Sequence, residues 1–233
     1  MVEIKNSQVF NLPAAVVSSG NAMRLEPQDV TVSVLNKSLE RCKKLAKNGG
    51  GTGHTNFRTG ILVSFDLKYP QYFTKQLQRY HWVQYVSSTS MMHRITKMNF
   101  KDCCNKYVTK DTISRMNMFI NLYNKLSFAK DKLEFFAIVK KDYITALQYC
   151  YGSDFDNPFE DETTREDVLY DCFMRIISNC PMGAELWVHC TTNYEQLATI
   201  YKQRKNHKLK EDWGEFCRWI ESLPYAKELI ICE

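Results

Sequence analysis

The segment that most constrains the fold runs from Ile61 to Pro70, where apolar and polar side chains alternate along the chain. Successive residues of a strand point to opposite sides, so this alternation predicts a strand with one buried face. Pro70 is well placed to open a helix, because the amide groups of a first helical turn have no partner within the helix. The segment therefore predicts a strand that passes directly into a helix.

Patterns elsewhere in the chain predict mostly helices. A further strand is expected near Val2–Phe10, and apolar residues at helical spacing predict helices over about 27–47, 112–126, 130–151, 167–178, 193–205 and 213–223. The first of these helices is expected to stop at the glycine run 49–51. The acidic stretch Gly152–Glu166 contains Asn157-Pro158 and predicts a surface loop.

Length and composition indicate one globular domain over residues 1–233, because 233 residues with 44% hydrophobic content can bury one substantial core. No apolar run approaches the roughly 18 residues that cross a bilayer, and the first residues lack the apolar stretch of a secretory signal. We therefore expect a cytoplasmic protein without a membrane partner. The nine cysteines form no CxxC pair, and an odd number favours buried thiols over a disulfide framework or a metal site.

The formal net charge of +5 is unevenly distributed. Basic side chains concentrate in Lys202–Lys210, whereas acidic side chains concentrate in Asp154–Asp171. A concentrated basic segment favours one anionic ligand over a general coating of nucleic acid. For most of these lysines a solvated helix face is expected.

The helix predicted after Pro70 leads into a polar run, Gln76-Leu77-Gln78-Arg79-Tyr80-His81, and seven residues later comes the pair Thr89-Ser90. On a continuous helix, Gln76 and Arg79 would share a stripe apart from the apolar residues. An amide and basic groups, followed by hydroxyls in a loop, suit a phosphate and a pyrimidine ring. This stripe is where we expect a ligand to bind.

The helix predicted over 193–205 offers a second stripe, on which Leu197 and Ile200 lie between Asn193 and Arg204. Asn193 and Arg204 lie eleven residues apart, and eleven steps of 100° return to within about 20° of the start, with a rise of roughly 16 Å. Arginine suits phosphate because its planar fork donates two parallel hydrogen bonds and stays charged. A partly buried helix face with an arginine near its own C-terminus would give the same pattern.

Together these motifs resemble the flavin-dependent thymidylate synthases over most of the chain. Gly53-His54-Thr55-Asn56, the strand and Pro70 resemble the G-H-x-[ST] segment, strand and proline of that family. Arg79-Tyr80-His81, seven residues and Thr89 resemble its R-H-R-(seven residues)-S signature in altered form. The spacing of Pro181, Asn193 and Arg204 is similar to the family's proline, N-x-R helix start and further arginine.

The resemblance implies an α/β fold of this family, with a mixed or antiparallel sheet flanked by helices. It implies reductive methylation of dUMP to dTMP, in which methylenetetrahydrofolate donates the carbon, reduced FAD donates hydride, and NADPH is a further cofactor. It also implies a homotetramer, because the active sites of the family lie between subunits.

The resemblance further implies roles for individual residues. Catalytic roles fall to Arg79, His81 and Arg204. The positions that bind the substrate nucleotide are Gln76, Arg79, Thr89, Ser90 and Arg204. The positions that bind flavin are Asn56, Tyr80, His81, Ser87, Asn193 and Thr199. No metal is implied.

The sequence departs from the family at charged positions. His81 stands where the signature has an arginine, Ser87 and Met91 replace a glutamate and an arginine, and Glu195 replaces the cation of the N-x-R motif. Each lost charge-assisted contact weakens binding by about 1.5 to 3 kcal/mol unless another group compensates. Arg58, Arg94 and His93 are available as compensating groups.

Two alternatives remain open beside thymidylate synthesis. An altered site of the same fold would permit hydroxymethylation of a pyrimidine nucleotide. A catalytically inactive homologue would instead bind nucleotide, or less readily nucleic acid, through the basic segment Lys202–Lys210.

Overall fold

The computed structural model describes residues 1–48, 53–155, 158–159 and 162–232. The strands are β1 (Glu3–Phe10), β2 (Leu62–Pro70), β3 (Gln84–Ser88) and β4 (Glu185–Asn193). The helices are α1 (Leu12–Ser18), α2 (Val32–Ala46), α3 (Gln71–Leu77), α4 (Met91–Arg94), α5 (Phe100–Cys103), α6 (Lys110–Ser127), α7 (Lys132–Ile138), α8 (Ile144–Tyr151), α9 (Arg165–Ser178), α10 (Tyr194–Arg204) and α11 (Lys210–Glu221). Two π-helical turns occupy Val139–Tyr143 and Lys227–Ile231.

The chain folds into two compact units. Unit 1 contains residues 1–88 together with 186–233, and unit 2 contains residues 89–185. Unit 1 is thus built from both ends of the sequence, whereas unit 2 is one continuous segment. The expectation of one domain across 1–233 stays a prediction.

Unit 1 is organised around an antiparallel sheet in the order β1-β2-β4-β3. Val63, Phe65 and Leu67 of β2 are fully buried, as the alternating pattern predicts. The ring of Phe65 lies 4.4 Å from that of Trp219 and 6.1 Å from that of Phe216, both on α11. This apolar face holds the sheet against the helices, since each fully buried side chain contributes about 1.5 to 3 kcal/mol. The predicted α/β fold with an antiparallel sheet flanked by helices is confirmed.

The opposite face of the sheet is only partly covered. The half-buried side chains on it include Ser64, Asp66 and Lys68 of β2 and Trp187, His189 and Thr191 of β4. At the end of this face, Phe10 and Leu62 are paired across β1 and β2 and are both about half exposed. Polar and aromatic groups on this face are therefore accessible in the chain.

Several predicted elements have different limits in the structure. The first long helix begins at Val32 rather than near residue 27, because the hydroxyl of Thr31 caps it by accepting from the amide of Val34. Its predicted stop at the glycines 49–51 lies outside the described residues. Helix α3 ends at Leu77, so the predicted stripe does not extend to Arg79. Strands β3 and β4 were not predicted.

Unit 2 is helical in its described parts and has its own core. The predicted helix over 130–151 is α7, a π-helical turn and α8 in succession. Helix α9 begins with a capping box, in which Thr164 and Asp167 satisfy each other's backbone amides. The buried hydroxyl of Tyr143 donates to Asp171 at 2.6 Å, and Asp171 also pairs with Arg175. These contacts join α9 to the turn between α7 and α8.

The cysteines and the helix lengths bear on two further expectations. Four cysteines are buried, as predicted for all nine, and the other five are partly exposed: the buried ones are Cys42, Cys172, Cys190 and Cys217. Within the part of the chain that the structure describes, no helix combines the length and the apolar character needed to cross a membrane.

Candidate functional site

The first element of the candidate site is α3 with the turn that follows it. Pro70 is in an extended conformation immediately before the helix, and Phe73 and Leu77 are fully buried beneath it. The amide of Tyr80 donates to the carbonyl of Leu77 at 3.0 Å, which closes a tight turn after the helix. These contacts fix Gln76 on the last turn of α3 and bury Tyr80 just beyond its end.

The second element is α10. Asn193 ends β4 and caps α10, because its side-chain oxygen accepts from the amide of Gln196 at 2.9 Å. Leu197 and Ile200 are fully buried and hold the helix against the core of unit 1. Arg204 is the last residue of the helix and is half-buried.

Gln76, Tyr80, Arg204 and Trp213 meet in one place, which we call the Arg204 cluster. The guanidinium Nε of Arg204 donates to the Tyr80 hydroxyl at 2.6 Å, and its Nη1 lies 3.5 Å from Gln76 Oε1. The indole of Trp213 also donates to Gln76 Oε1, at 2.9 Å. The guanidinium lies 4.7 Å from the Trp213 ring centre and 5.5 Å from that of Tyr80. Arginine is thus held by two rings and two neutral acceptors.

The charge of Arg204 has no counter-ion in this cluster. Among the described residues, no carboxylate forms an ion pair with it, and the Tyr80 hydroxyl donates its own hydrogen bond to Gln203 Oε1 at 3.0 Å. His207 packs edge-on against Trp213, and its pKa is lowered by burial and then by the positive charges of Arg204 and Lys208. The site is therefore electropositive and suits an anion.

A second basic region, the Arg58 groove, lies along another stripe of α10. Glu195, Thr199 and Lys202 follow one another at helical spacing and line a groove of about 330 Å³ with Arg58 and Lys205. The carbonyl of Glu195, one turn earlier in the helix, accepts the hydroxyl hydrogen bond of Thr199. Lys202 and Lys205 are exposed, as expected for most of the basic segment.

Arg58 is the buried cation of this groove, with its side chain 3% exposed. Its guanidinium pairs with Glu195 at 3.4 Å and donates to the carbonyl of Ala46 at 3.1 Å and to Cys232 Sγ. Its Nε is buried and has no hydrogen-bond partner among the described residues. Arg58, one of the compensating groups named from the sequence, is thus paired with Glu195.

Among the described contacts of unit 1, none joins a side chain of the remaining predicted site residues of that unit to the Arg204 cluster. The exposed ones are Asn56, Arg79, His81, Ser87, Ser90 and Thr199, and Thr89 is half-buried. The imidazole of His81 packs edge-on against Trp82, with ring centres 5.2 Å apart. The side chain of Asn193 is committed to capping α10. Of the predicted residues, the structure brings together Gln76, Tyr80 and Arg204.

Two contributors to the site were missed from the sequence. Trp213 begins the helix that apolar spacing predicts over 213–223, and it is fully buried, yet its indole also holds Gln76 and Arg204. Gln203 accepts a hydrogen bond from Tyr80, but nothing in the sequence of the basic segment Lys202–Lys210 distinguishes this glutamine as a site residue. Both contacts join positions more than one hundred residues apart, so only the tertiary structure reveals them.

Comparison with known proteins supports the fold. Two solved structures of the flavin-dependent thymidylate synthase ThyX from Helicobacter pylori, each with FAD and dUMP, resemble this chain. For the first, the TM-score is 0.55 at 15% identity, with 100% of this chain and 99% of that chain covered. For the second, the TM-score is 0.52 at 14% identity, with 98% and 97% covered.

At sequence level the comparisons gave no counterpart. No protein-family model matches this chain, and the comparison with curated proteins also found no match. The structural likeness spans both chains almost completely, and at this identity it establishes the fold alone. The chain has the α/β fold of the ThyX structures.

Proposed function

We propose that this chain is a flavin-dependent enzyme that methylates dUMP reductively to dTMP. The observation that carries this proposal is the Arg204 cluster. It places an arginine that has no counter-ion among the described residues beside an amide and a buried hydroxyl, on a fold shared with structures that hold FAD and dUMP.

In this proposal the Arg204 cluster binds the nucleotide. The guanidinium of Arg204 bonds the phosphate, because it is charged, preorganised by two rings and unopposed by a carboxylate in the described part of the chain. Gln76 receives Trp213 and Arg204 on its Oε1, which leaves its Nε2 to donate to a carbonyl of the pyrimidine. Tyr80 positions Arg204 through the 2.6 Å hydrogen bond.

The Arg58 groove is the proposed site for the phosphates of FAD. It combines a buried guanidinium nitrogen that has no described partner with the ammonium groups of Lys202 and Lys205. These are donors suited to phosphate oxygens. Flavin, when bound and reduced, supplies the hydride, while methylenetetrahydrofolate supplies the carbon and NADPH the reducing equivalents.

The proposal includes a homotetramer. Arg79, His81 and Ser90 are exposed in the single chain, although the resemblance assigns them to the site. A second copy would bring such residues to the Arg204 cluster of its neighbour. Light scattering at micromolar concentration should give four times the 27.3 kDa chain mass. A monomeric mass would contradict this part of the proposal.

The function is tested directly with dUMP that carries tritium at C5 of the ring. With FAD, NADPH and methylenetetrahydrofolate, the purified protein should release tritium to water and produce a nucleotide of the mass of dTMP. The sample should show the absorption of bound flavin. A hydroxymethyl product would favour the related reaction on the same nucleotide.

A catalytically inactive nucleotide-binding homologue is the second candidate. Two observations favour it: Asn193 is committed to the cap of α10, and His81 packs against Trp82 instead of extending toward the cluster. This candidate predicts a colourless protein that binds dUMP but releases no tritium. Salt-sensitive binding of oligonucleotides would assign the role to the basic segment Lys202–Lys210.

A further inference from the structure

Three polar side chains form a connected row on the partly covered face of the sheet. The imidazole of His189 on β4 lies between two residues of β2, with its Nδ1 2.6 Å from Asp66 Oδ1 and its Nε2 2.9 Å from Ser64 Oγ. The amide of Asn6 on β1 donates to the other carboxylate oxygen of Asp66, also at 2.6 Å. Asp66 and Ser64 thus hold the imidazole between them, and Asn6 on the third strand holds Asp66.

The hydrogen bonds assign the protons in this row. Donation from Asn6, and then from His189, lowers the pKa of Asp66, so the carboxylate is ionised near neutral pH and only accepts. A carboxylate can only accept, so Nδ1 donates to Asp66, and in the tautomer that this requires Nε2 can accept the hydrogen bond of the Ser64 hydroxyl. Hydroxyl, imidazole and carboxylate stand in the order needed to activate a serine for acyl transfer.

The hydroxyl of Ser64 is next to an open apolar hollow. The hollow has a volume of about 280 Å³, and its apolar lining includes Phe10, Leu62 and Trp82, which are 48%, 49% and 59% exposed. Gln84 and Thr191, which are register partners across β3 and β4, supply polar groups to the same lining. A reactive group beside apolar walls and two polar side chains suits a small hydrophobic ester.

We propose that Ser64 is a nucleophile for acyl transfer from a small hydrophobic carboxylic ester, with His189 as its general base. The Ser64 oxygen bonds to the ester carbonyl carbon while His189 Nε2 takes the hydroxyl proton. The C–O bond to the alcohol then breaks, and His189 returns the proton to the leaving oxygen. Water repeats the same two steps on the acyl-serine and releases the carboxylic acid.

Asp66 is a positioning residue in this reaction, because it acts on the imidazole and does not contact the ester. Gln84 and Thr191 are the donors that line the hollow beside Ser64 for the oxygen that becomes negative during attack. The reaction needs neither flavin nor nucleotide. It is therefore a second activity, independent of the one proposed for the Arg204 cluster.

The first test uses an alkyl fluorophosphonate, which modifies only activated serines, on the whole chain without added cofactor. Mass spectrometry of the digested protein should locate the adduct on Ser64, and Ser64→Ala should not react. His189→Gln should slow labelling by about 10²-fold, since it removes the general base. Ser88→Ala is the matched control, because Ser88 is an exposed serine of the same sheet, and its labelling rate should equal that of the parent.

The second test separates activation from packing and uses the hydrolysis of p-nitrophenyl butyrate. Asp66→Asn should lower kcat, because His189 is then no longer held in the tautomer that can accept the serine proton. KM should change little, because the hollow stays intact. Asp66→Glu should restore part of the rate. Circular dichroism checks that each variant is folded. Absence of an adduct on Ser64 in the folded parent, or labelling that is unaffected by His189→Gln, would overturn the proposal.

Discussion

Unit 1 contains two arginines, Arg204 and Arg58, that are held in opposite ways. Arg204 is half-buried, stacks on two aromatic rings and bonds neutral acceptors. Arg58 is almost fully buried and pairs with the carboxylate of Glu195. The positive charge of Arg204 is therefore uncompensated within its cluster, whereas that of Arg58 is mostly neutralised by Glu195.

This difference in charge pairing indicates separate roles for the two arginines. Removing one partner of a buried ion pair leaves the other charge buried and unpaired, so replacing Arg58 should chiefly lower the free energy of unfolding. An arginine held by aromatic rings and neutral acceptors keeps a positive charge that can attract an anion, so replacing Arg204 should chiefly lower the affinity for the nucleotide. The two effects can be measured independently, as stability in denaturant and as affinity for dUMP.

The largest effect is expected from Arg58→Ala. It leaves the carboxylate of Glu195 without its partner and removes the hydrogen bond to the carbonyl of Ala46, so the free energy of unfolding should fall by about 3 kcal/mol. Urea denaturation measures this. Lys202→Ala is the control from the same groove, and an exposed lysine should change stability by no more than about 0.5 kcal/mol. Equal losses would show that burial of the pair is unimportant.

Arg204→Ala should act mainly on binding. Loss of one charge-assisted contact should weaken dUMP binding by about 1.5 to 3 kcal/mol, which is roughly 10- to 150-fold in Kd. Lys208→Ala removes the same charge outside the cluster and should have a far smaller effect. Titration calorimetry compares the two, and equal losses would mean that the basic segment acts only through diffuse charge.

Tyr80→Phe tests whether Arg204 needs to be positioned. The change removes the hydroxyl that accepts from Arg204 and donates to Gln203, while the buried ring remains. Stability should fall by about 1 kcal/mol for the lost hydrogen bonds, and dUMP affinity should fall less than in Arg204→Ala. Calorimetry and urea denaturation together give both numbers. Unchanged dUMP affinity would indicate that the rings alone orient the guanidinium.

The smallest expected change is in the titration of His207. Burial, and then the charge of Arg204, lower the pKa of this histidine, so Arg204→Ala should raise it, and a bound dUMP phosphate should raise it in the parent. The unfolded chain binds this proton more tightly, so stability falls as the pH drops through about 6.5, and Arg204→Ala should reduce that loss. Proton NMR of the imidazole follows the titration. A pKa that dUMP leaves unchanged would place the phosphate elsewhere.

Local patterns in the sequence were sufficient for much of the scaffold. The alternation in β2 and the apolar spacing in α6, α9 and α11 follow directly from burial on one face. β4 also alternates, with Leu186, Val188 and Cys190 buried, but Trp187 lies on its open face and obscures the pattern. β3 has only five residues, and a bulge near Val86 interrupts its register, so it gave almost no periodic signal.

The site was predictable only where a residue's neighbours in sequence determine its position. Gln76 and Arg204 were found because each lies on a helix with a readable stripe. The end of α3 at Leu77 depends on a turn that Tyr80 closes, which the helical pattern does not contain. The row from Ser64 to His189 joins residues 125 positions apart, so it could not be predicted without β4.

The construction of unit 1 from both ends of the chain determines when the contacts between its N-terminal segment and α11 form during synthesis. The amide of Val2 donates to Asp212, and the indole of Trp219 donates to Ser7, across 210 and 212 positions. Unit 2 is translated completely before either partner leaves the ribosome. Nascent chains arrested with unit 2 outside the ribosome and α11 still inside it should therefore resist protease in unit 2 but be cleaved near Val2 and Ser7 more readily than the released chain, and equal protection in the two chains would contradict this order.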